Sequence, residues 1–169
     1  MLKNFKGVVF RAHDPKWAFL PDSGRGAELT GGRFNYVGTK ALYLSLTNIG
    51  ALLESQQGFS NKAQPKLLCS YEVDVTKILD LTDPQVVKYY DIDFKLLDCA
   101  WMLDDKPYSQ ELSKALIAKG INGIISPSYV KGGESCQNLI LWNWKKTKPN
   151  KVNVIDDFDA LPKNQLSWS

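Results

Sequence analysis

The chain has 169 residues, of which 44% are hydrophobic and 23% charged, and carries a formal net charge of +3. That length suits one domain, 1–169, around one core, and the composition is that of an ordinary soluble globular protein. The longest basic cluster is Lys145-Lys146 with Lys148 nearby, which argues against a nucleic-acid-binding surface.

No apolar run approaches the roughly 18 residues of a membrane span. Residues Met1 to Lys6 lack the apolar stretch of a secretory signal, so the cytoplasm is the expected location. Cys69, Cys99 and Cys136 are odd in number and far apart, which fits reduced thiols better than disulfides. A single histidine, His13, argues against a His-based metal site or a Ser-His triad, and no metal is expected.

The predicted elements begin with a strand over Gly7 to Arg11, a β-branched and aromatic run that delivers Arg11 at its end. Residues 12 to 32 form a long connection containing Pro15, Pro21 and several glycines; loops of that length are functional or locally structured. Ala41 to Ser45 reads as a second strand. Thr47 can cap a helix over Asn48 to Gln57, ended by Gly58, with Ile49, Leu52 and Leu53 on its apolar face.

Leu67, Cys69, Tyr71 and Val73 alternate with more polar residues, the clearest period of two in the chain. Ile78 to Leu81 reads as a further short strand. Asp83-Pro84 is a helix start. Tyr89 to Trp101 is mixed and has no firm assignment. Ser109 to Lys119 reads as an amphipathic helix with Leu112, Ala115 and Leu116 inward, stopped by Gly120. Strands follow at Gly123 to Ser126, Leu139 to Trp142 and Val152 to Ile155, with a glycine-containing loop from Ser128 to Gln137. No glycine-rich fingerprint follows the first strand. The pattern favours an α+β architecture with a mostly antiparallel core over a doubly wound dinucleotide-binding fold.

The residues with chemical potential start at Gly31-Gly32-Arg33-Phe34-Asn35, where two glycines permit a close approach before a guanidinium. A planar guanidinium suits a diphosphate or a carboxylate. Arg11, Tyr43, Glu54 and the pair Ser126 and Ser128 complete the set. Each has a plain reading when taken alone. An arginine or a glutamate is most often a surface group, a tyrosine a core aromatic, and serines beside Pro127 turn residues.

In order and spacing these segments resemble the RES-domain toxins, a family named for an Arg, a Glu and a Ser. The matching pieces are Val9-Phe10-Arg11-Ala12, Gly31 to Asn35, Leu42-Tyr43-Leu44-Ser45 with Glu54 beyond, and Gly123 to Ser128 followed by Asn138 to Trp142. The resemblance spans about residues 7 to 156. Phe34 stands where the family often has Trp, and Tyr89 to Tyr108 matches least.

The resemblance implies an ADP-ribosyltransferase-like fold with two mostly antiparallel sheets flanked by helices. It implies a toxin that degrades NAD at the nicotinamide–ribose bond by hydrolysis or phosphorolysis, with mono-ADP-ribosylation of a protein as the alternative. NAD is then a substrate, and no further cofactor is expected. Arg33, Tyr43, Glu54 and Ser128 are the implied catalytic residues. Arg11, Arg33, Tyr43, Ser126 and Ser128 are the implied NAD contacts, with Ser128 preferred over Ser126 because the family serine follows a proline. The implied partner is a helix-turn-helix antitoxin of the Xre type that covers the active site. The resemblance implies no membrane and no direct nucleic-acid binding outside that complex, and it leaves room for a homodimer.

Overall fold

A computed structural model of the chain describes residues 1–56 and 64–168. Gln57 and Gly58, expected to end a helix, lie outside the described residues. Six strands organise the rest: β1 Lys3–His13, β2 Leu42–Ser45, β3 Leu67–Asp80, β4 Gly123–Pro127, β5 Gln137–Leu141 and β6 Lys151–Val154. Five of them close into a ring in the order β1, β2, β5, β4, β3, with β3 pairing back onto β1. All neighbours in the ring are antiparallel except β3 and β4.

The two expected sheets are thus one continuous ladder, a closed five-stranded barrel with β6 as an added strand. Its cause is the length of β3. The period-two segment around Tyr71 and the expected short strand at Ile78 are one element of 14 residues. Along one edge β3 pairs with β1. Along the other it pairs first with β6, from Tyr71 to Asp74, and then with β4, from Ile78 to Asp80. Between those two partners Lys77 takes a left-handed backbone conformation, φ 57°. Closure removes the free edges that an open sheet would expose.

The alternation of side chains then makes two cores. Val9, Leu42, Tyr71, Ile125 and Leu139, one from each strand of the ring, pack together inside it. The residues between them face outward. Tyr43, Ile124 and Ile140 are register neighbours on that outer face and pack with Phe34, Leu97 and Leu116 in a second cluster.

Among the described residues, four α-helices complete the architecture. The long connection after β1 holds a 3-10 turn at Pro15–Trp17 and α1, Arg25–Thr30. In α2, Asn48–Gln56, Thr47 Oγ1 accepts from the Gly50 amide at 3.0 Å, the expected cap. Its inward face is Gly50 and Ala51, whereas Ile49 is 65% exposed. The helix lies so close to β2 that a Cβ at Gly50 would fall 2.3 Å from Ser45 Oγ, so small residues and not Ile49 must take that contact. Asp83 caps α3, Pro84–Tyr89, accepting from the Gln85 amide at 2.9 Å. A 3-10 turn at Phe94–Leu97 opens the segment that leads to α4, Tyr108–Ala118. Gly120 stops that region at φ 73°. Ala115, expected inside, is exposed; Ser109, Gln110 and Ser113 lie inward because they bond backbone groups of the neighbouring turns. The three cysteines are unpaired. Among the described residues no helix is long and apolar enough to cross a membrane.

Candidate active site

The outer face of the barrel and the Gly31–Asn35 turn enclose a cavity of about 1200 Å³. Its wall includes Arg11, Arg33, Tyr43, Glu54 and Asn138. The register sets its floor. Ser45 on β2, Asn138 on β5 and Ser126 on β4 lie side by side in one row of the ladder, and Tyr43 and Ile140 form the next row.

Glu54, on the last turn of α2, reaches over that row. Its Oε1 accepts two hydrogen bonds, from Ser128 Oγ at 2.6 Å and from Asn138 Nδ2 at 2.6 Å. Charge-assisted bonds of that length are the stronger kind. Both donors come from the β4–β5 hairpin, so the hairpin grips the carboxylate by one oxygen. Ser128 itself is held by the Val130 amide, which donates to its Oγ at 3.3 Å. Ser128 is 8% exposed. Ser126 is fully buried, with its hydroxyl bonded to the Pro127 carbonyl at 3.1 Å, and makes no bond to Glu54.

Tyr43 presents its ring to the cavity while its hydroxyl ties down the glycine turn. Tyr43 Oη donates to Asn35 Oδ1 at 2.7 Å and accepts from the Phe34 amide at 3.0 Å. Asn35 in turn donates to the carbonyls of Ala27 and Thr39 at 2.8 and 2.9 Å. A Cβ at Gly32 would sit 2.6 Å from Tyr43 Oη, so this approach requires a glycine. Burial pushes the Tyr43 phenol well above its ordinary value, which keeps it protonated and a donor.

Arg33 is more constrained than a free anion-binding fork. Its Nη1 donates to the carbonyls of Leu97 at 2.7 Å and Cys99 at 2.9 Å. Its guanidinium lies 4.3 Å from the centre of the Tyr129 ring. Asp98 is 3.9 Å from Nη2 but 74% exposed, so that pair adds little. Arg33 therefore pins the 97–99 segment, and with it Trp101 and Met102, against the cavity.

Arg11 sits on the other face of β1. Its register partner is Cys69, beside Val9 and Tyr71 at the end of the barrel, and it still borders the cavity. Burial lowers its affinity for a proton, and among the described residues its side chain donates one hydrogen bond, to the Ser23 carbonyl at 3.2 Å. No carboxylate pairs with it among the described residues. A part-buried cation so short of partners favours an anion nearby. Next to it, Tyr71 Oη donates to the Pro21 carbonyl at 2.7 Å and lies 2.5 Å from His13 Nε2. The phenolic proton is spent on Pro21, so His13 is the donor to Tyr71 and its Nε2 carries hydrogen.

The structure thus brings Glu54 and Ser128 into contact, places Tyr43 and Arg33 on the same wall without bonding either to Glu54, and sets Arg11 at the barrel end. Three participants carry no role in the sequence reading: Asn138, Asn35 and Tyr129. The signal available for Asn138 is a polar residue just before the apolar run Leu139 to Leu141, two positions before the outward-facing Ile140.

The closed barrel carries a carboxylate clamped over its outer face, beside a glycine-arginine turn. The family model described as RES domain matches residues 8–165, and the chain belongs to that family. No curated protein matches the sequence. Among solved structures, a chain of the MbcT-MbcA toxin-antitoxin complex of M. tuberculosis is similar in fold, with a TM-score of 0.62 at 19% identity. The match covers 92% of this chain and 84% of that one.

Proposed function

We propose that the chain is the toxin of a toxin–antitoxin pair and that it consumes NAD by breaking the nicotinamide–ribose bond. The observation that carries this reading is Glu54, a carboxylate gripped through one oxygen at the wall of a cavity of about 1200 Å³. That volume is generous beside the roughly 300–1,000 Å³ of common small-molecule sites and suits an extended dinucleotide. Breaking the glycosidic bond develops an oxocarbenium-like cation on the ribose. Glu54 supplies the negative charge that stabilises it. The leaving nicotinamide is neutral, so a strong general acid is not needed. Arg11, part-buried and with no carboxylate partner among the described residues, suits a phosphate oxygen of the substrate. The Tyr43 ring walls the nicotinamide side. Arg33 shapes the site by holding the Leu97–Cys99 segment, leaving Nη2 and Nε for a substrate oxygen.

Membership of the RES family and the likeness in fold to a chain of a toxin-antitoxin complex support an antitoxin partner. In this reading the antitoxin is of the helix-turn-helix type and covers the cavity mouth. Val37 and Met102, 67% and 75% exposed, border that mouth and supply apolar surface for it.

The test is to incubate purified chain with NAD and follow free nicotinamide and protein-bound ADP-ribose together. Release of nicotinamide without labelled protein supports hydrolysis or phosphorolysis; labelled protein supports ADP-ribosylation. Glu54→Gln keeps the shape and removes the charge, and should cut release by about 10²–10³ with NAD affinity little changed. Equal release from Glu54→Gln would remove the carboxylate from the chemistry and overturn the reading.

A further inference from the structure

Among the described residues, two buried side-chain polar atoms lack a hydrogen-bond partner, Tyr129 Oη and Asn138 Oδ1. The Tyr129 hydroxyl has the Ser126 side chain beside it, so its isolation is the milder of the two. Asn138 Oδ1 is a carbonyl oxygen that water cannot reach and nothing bonds. Such an atom costs stability, and native proteins seldom keep one without a reason.

The reason lies at the other end of the same amide. Asn138 Nδ2 donates to Glu54 Oε1 at 2.6 Å. Turning the amide over would free Nδ2 for other acceptors but would set Oδ1 against a carboxylate oxygen. The carboxylate therefore dictates the orientation, and the unpaired carbonyl is its consequence. Backbone constraints support the same view. Asn138 is paired on both sides, with Ser45 on β2 and with Ser126 on β4, so its Cα cannot shift to find a better bond.

We infer that Asn138 is a positioning residue for Glu54, kept at a cost in stability so that one carboxylate oxygen is fixed and the other is turned to the substrate. This rests on the reading of Glu54 as the charge-bearing group. Oε1 is saturated by Ser128 and Asn138, which leaves Oε2 as the oxygen for a ribose hydroxyl or the developing cation. Ser128 comes from a loop position just past β4, whereas Asn138 comes from within the ladder. Ser128 is tied across the hairpin by its amide, which donates to the Cys136 carbonyl at 2.9 Å, but Asn138 is flanked by strands on both sides, and it sets where the carboxylate stands.

The cost in stability separates this from a plain structural role. Asn138→Leu has nearly the same shape and removes the unpaired carbonyl. The variant is expected to melt at or above the wild-type temperature. Its turnover of NAD should fall by about 10²-fold, the scale of a small misplacement of a reacting group, with affinity for NAD unchanged. In the Glu54→Gln background the same substitution should cause little further loss, since two residues acting as one unit are not additive. Asn138→Asp, which preserves the outline but offers no donor, should lose turnover at least as far. The positioning is also readable without substrate. The isotope-labelled carboxyl resonance of Glu54 should move towards that of a freely rotating side chain in Asn138→Leu. A lower melting temperature with turnover per folded molecule preserved would overturn the inference. So would loss of NAD affinity at constant turnover, or an unmoved Glu54 resonance. Absence of NAD turnover in the wild type counts against the proposed substrate instead, and leaves the resonance to decide the role of Asn138.

Discussion

Ser128 donates its hydroxyl proton to Glu54 Oε1 at 2.6 Å, across 74 residues of chain. The bond changes what is expected of the serine. The resemblance implies a serine in contact with NAD, whereas here its hydroxyl proton is given to the carboxylate. Ser128→Ala should therefore lower turnover by about 10-fold to 10²-fold, with the KM for NAD near that of wild type. Ser126→Ala removes a hydroxyl that bonds the adjacent Pro127 carbonyl and lies beside the Tyr129 hydroxyl, away from Glu54, and should leave turnover close to wild type. Steady-state kinetics on the two variants checks the contrast. A raised KM with unchanged kcat in Ser128→Ala would return the serine to direct substrate contact.

Arg33 tests the Leu97–Cys99 segment. Both carbonyls are met by the one nitrogen Nη1, and a lysine keeps the charge but cannot lie flat on Tyr129 while its ammonium reaches them, nor offer the second amino group Nη2. Arg33→Lys should speed amide exchange across residues 97–102 and weaken NAD binding. Arg33→Ala should go further, while Arg25→Ala should do neither, because Arg25 is a largely exposed side chain paired with Glu28 on the surface. Unchanged exchange in Arg33→Lys would show that the segment is held by other contacts.

His13 gives the pH dependence. Burial first, and then the neighbouring Arg11 charge, push its pKa from the ordinary 6.5 down to about 3. The unfolded chain takes up a proton below pH 6.5 and the folded chain does not. Stability is therefore full above pH 6.5 and is lost progressively as the pH falls towards about 3. His13→Gln can still donate to Tyr71 and does not titrate. It should flatten that acid slope in urea titrations run at a series of pH values. An identical slope in the variant would place the loss on the carboxylates.

The glycine turn gives two opposite outcomes. Gly32→Ala drives a methyl group to within 2.6 Å of Tyr43 Oη and 2.7 Å of Asn35 Oδ1. It should cost roughly 1–3 kcal/mol by overpacking, together with the geometry of the turn. Gly26→Ala, in α1 with nothing within 4 Å of the new methyl, should gain about 0.5–1 kcal/mol. Urea midpoints of the two variants decide it. Equal midpoints would mean that the turn adapts to the methyl.

Much of this fold can be read from periodicity. The alternation at Leu67 to Val73, the Thr47 and Asp83 caps and the stop at Gly120 all correspond to elements seen in the structure. What the sequence hides is whatever depends on pairing at long range. Nothing local says that the segments around Tyr71 and Ile78 are one strand, because Lys77 breaks the backbone geometry between them. Closure of the ring follows from that continuity and is equally invisible. The inward face of α2 is hidden for a similar reason. Ile49 and Leu52 look apolar enough to be core, but the space against Ser45 admits only Gly50 and Ala51. At the site, the residue types of Arg33, Tyr43, Glu54 and Ser128 stand out by order and spacing, whereas their bonds do not. That Arg33 spends two bonds on carbonyls, and that Asn138 shares Glu54 with Ser128, are facts of the closed barrel alone.

The carboxylate grip has a consequence for synthesis. Glu54 leaves the ribosome well before either of its donors, which lie 74 and 84 residues further on. β5 pairs with both β2 and β4, so the row beneath the carboxylate is complete only when the hairpin has emerged and docked. A nascent or truncated chain that stops short of Asn138 carries the acidic side chain but lacks the amide that aims it. If the chain is the toxin proposed above, late assembly of the centre holds its activity back until the β4–β5 hairpin has emerged, and so gives a partner time to be present.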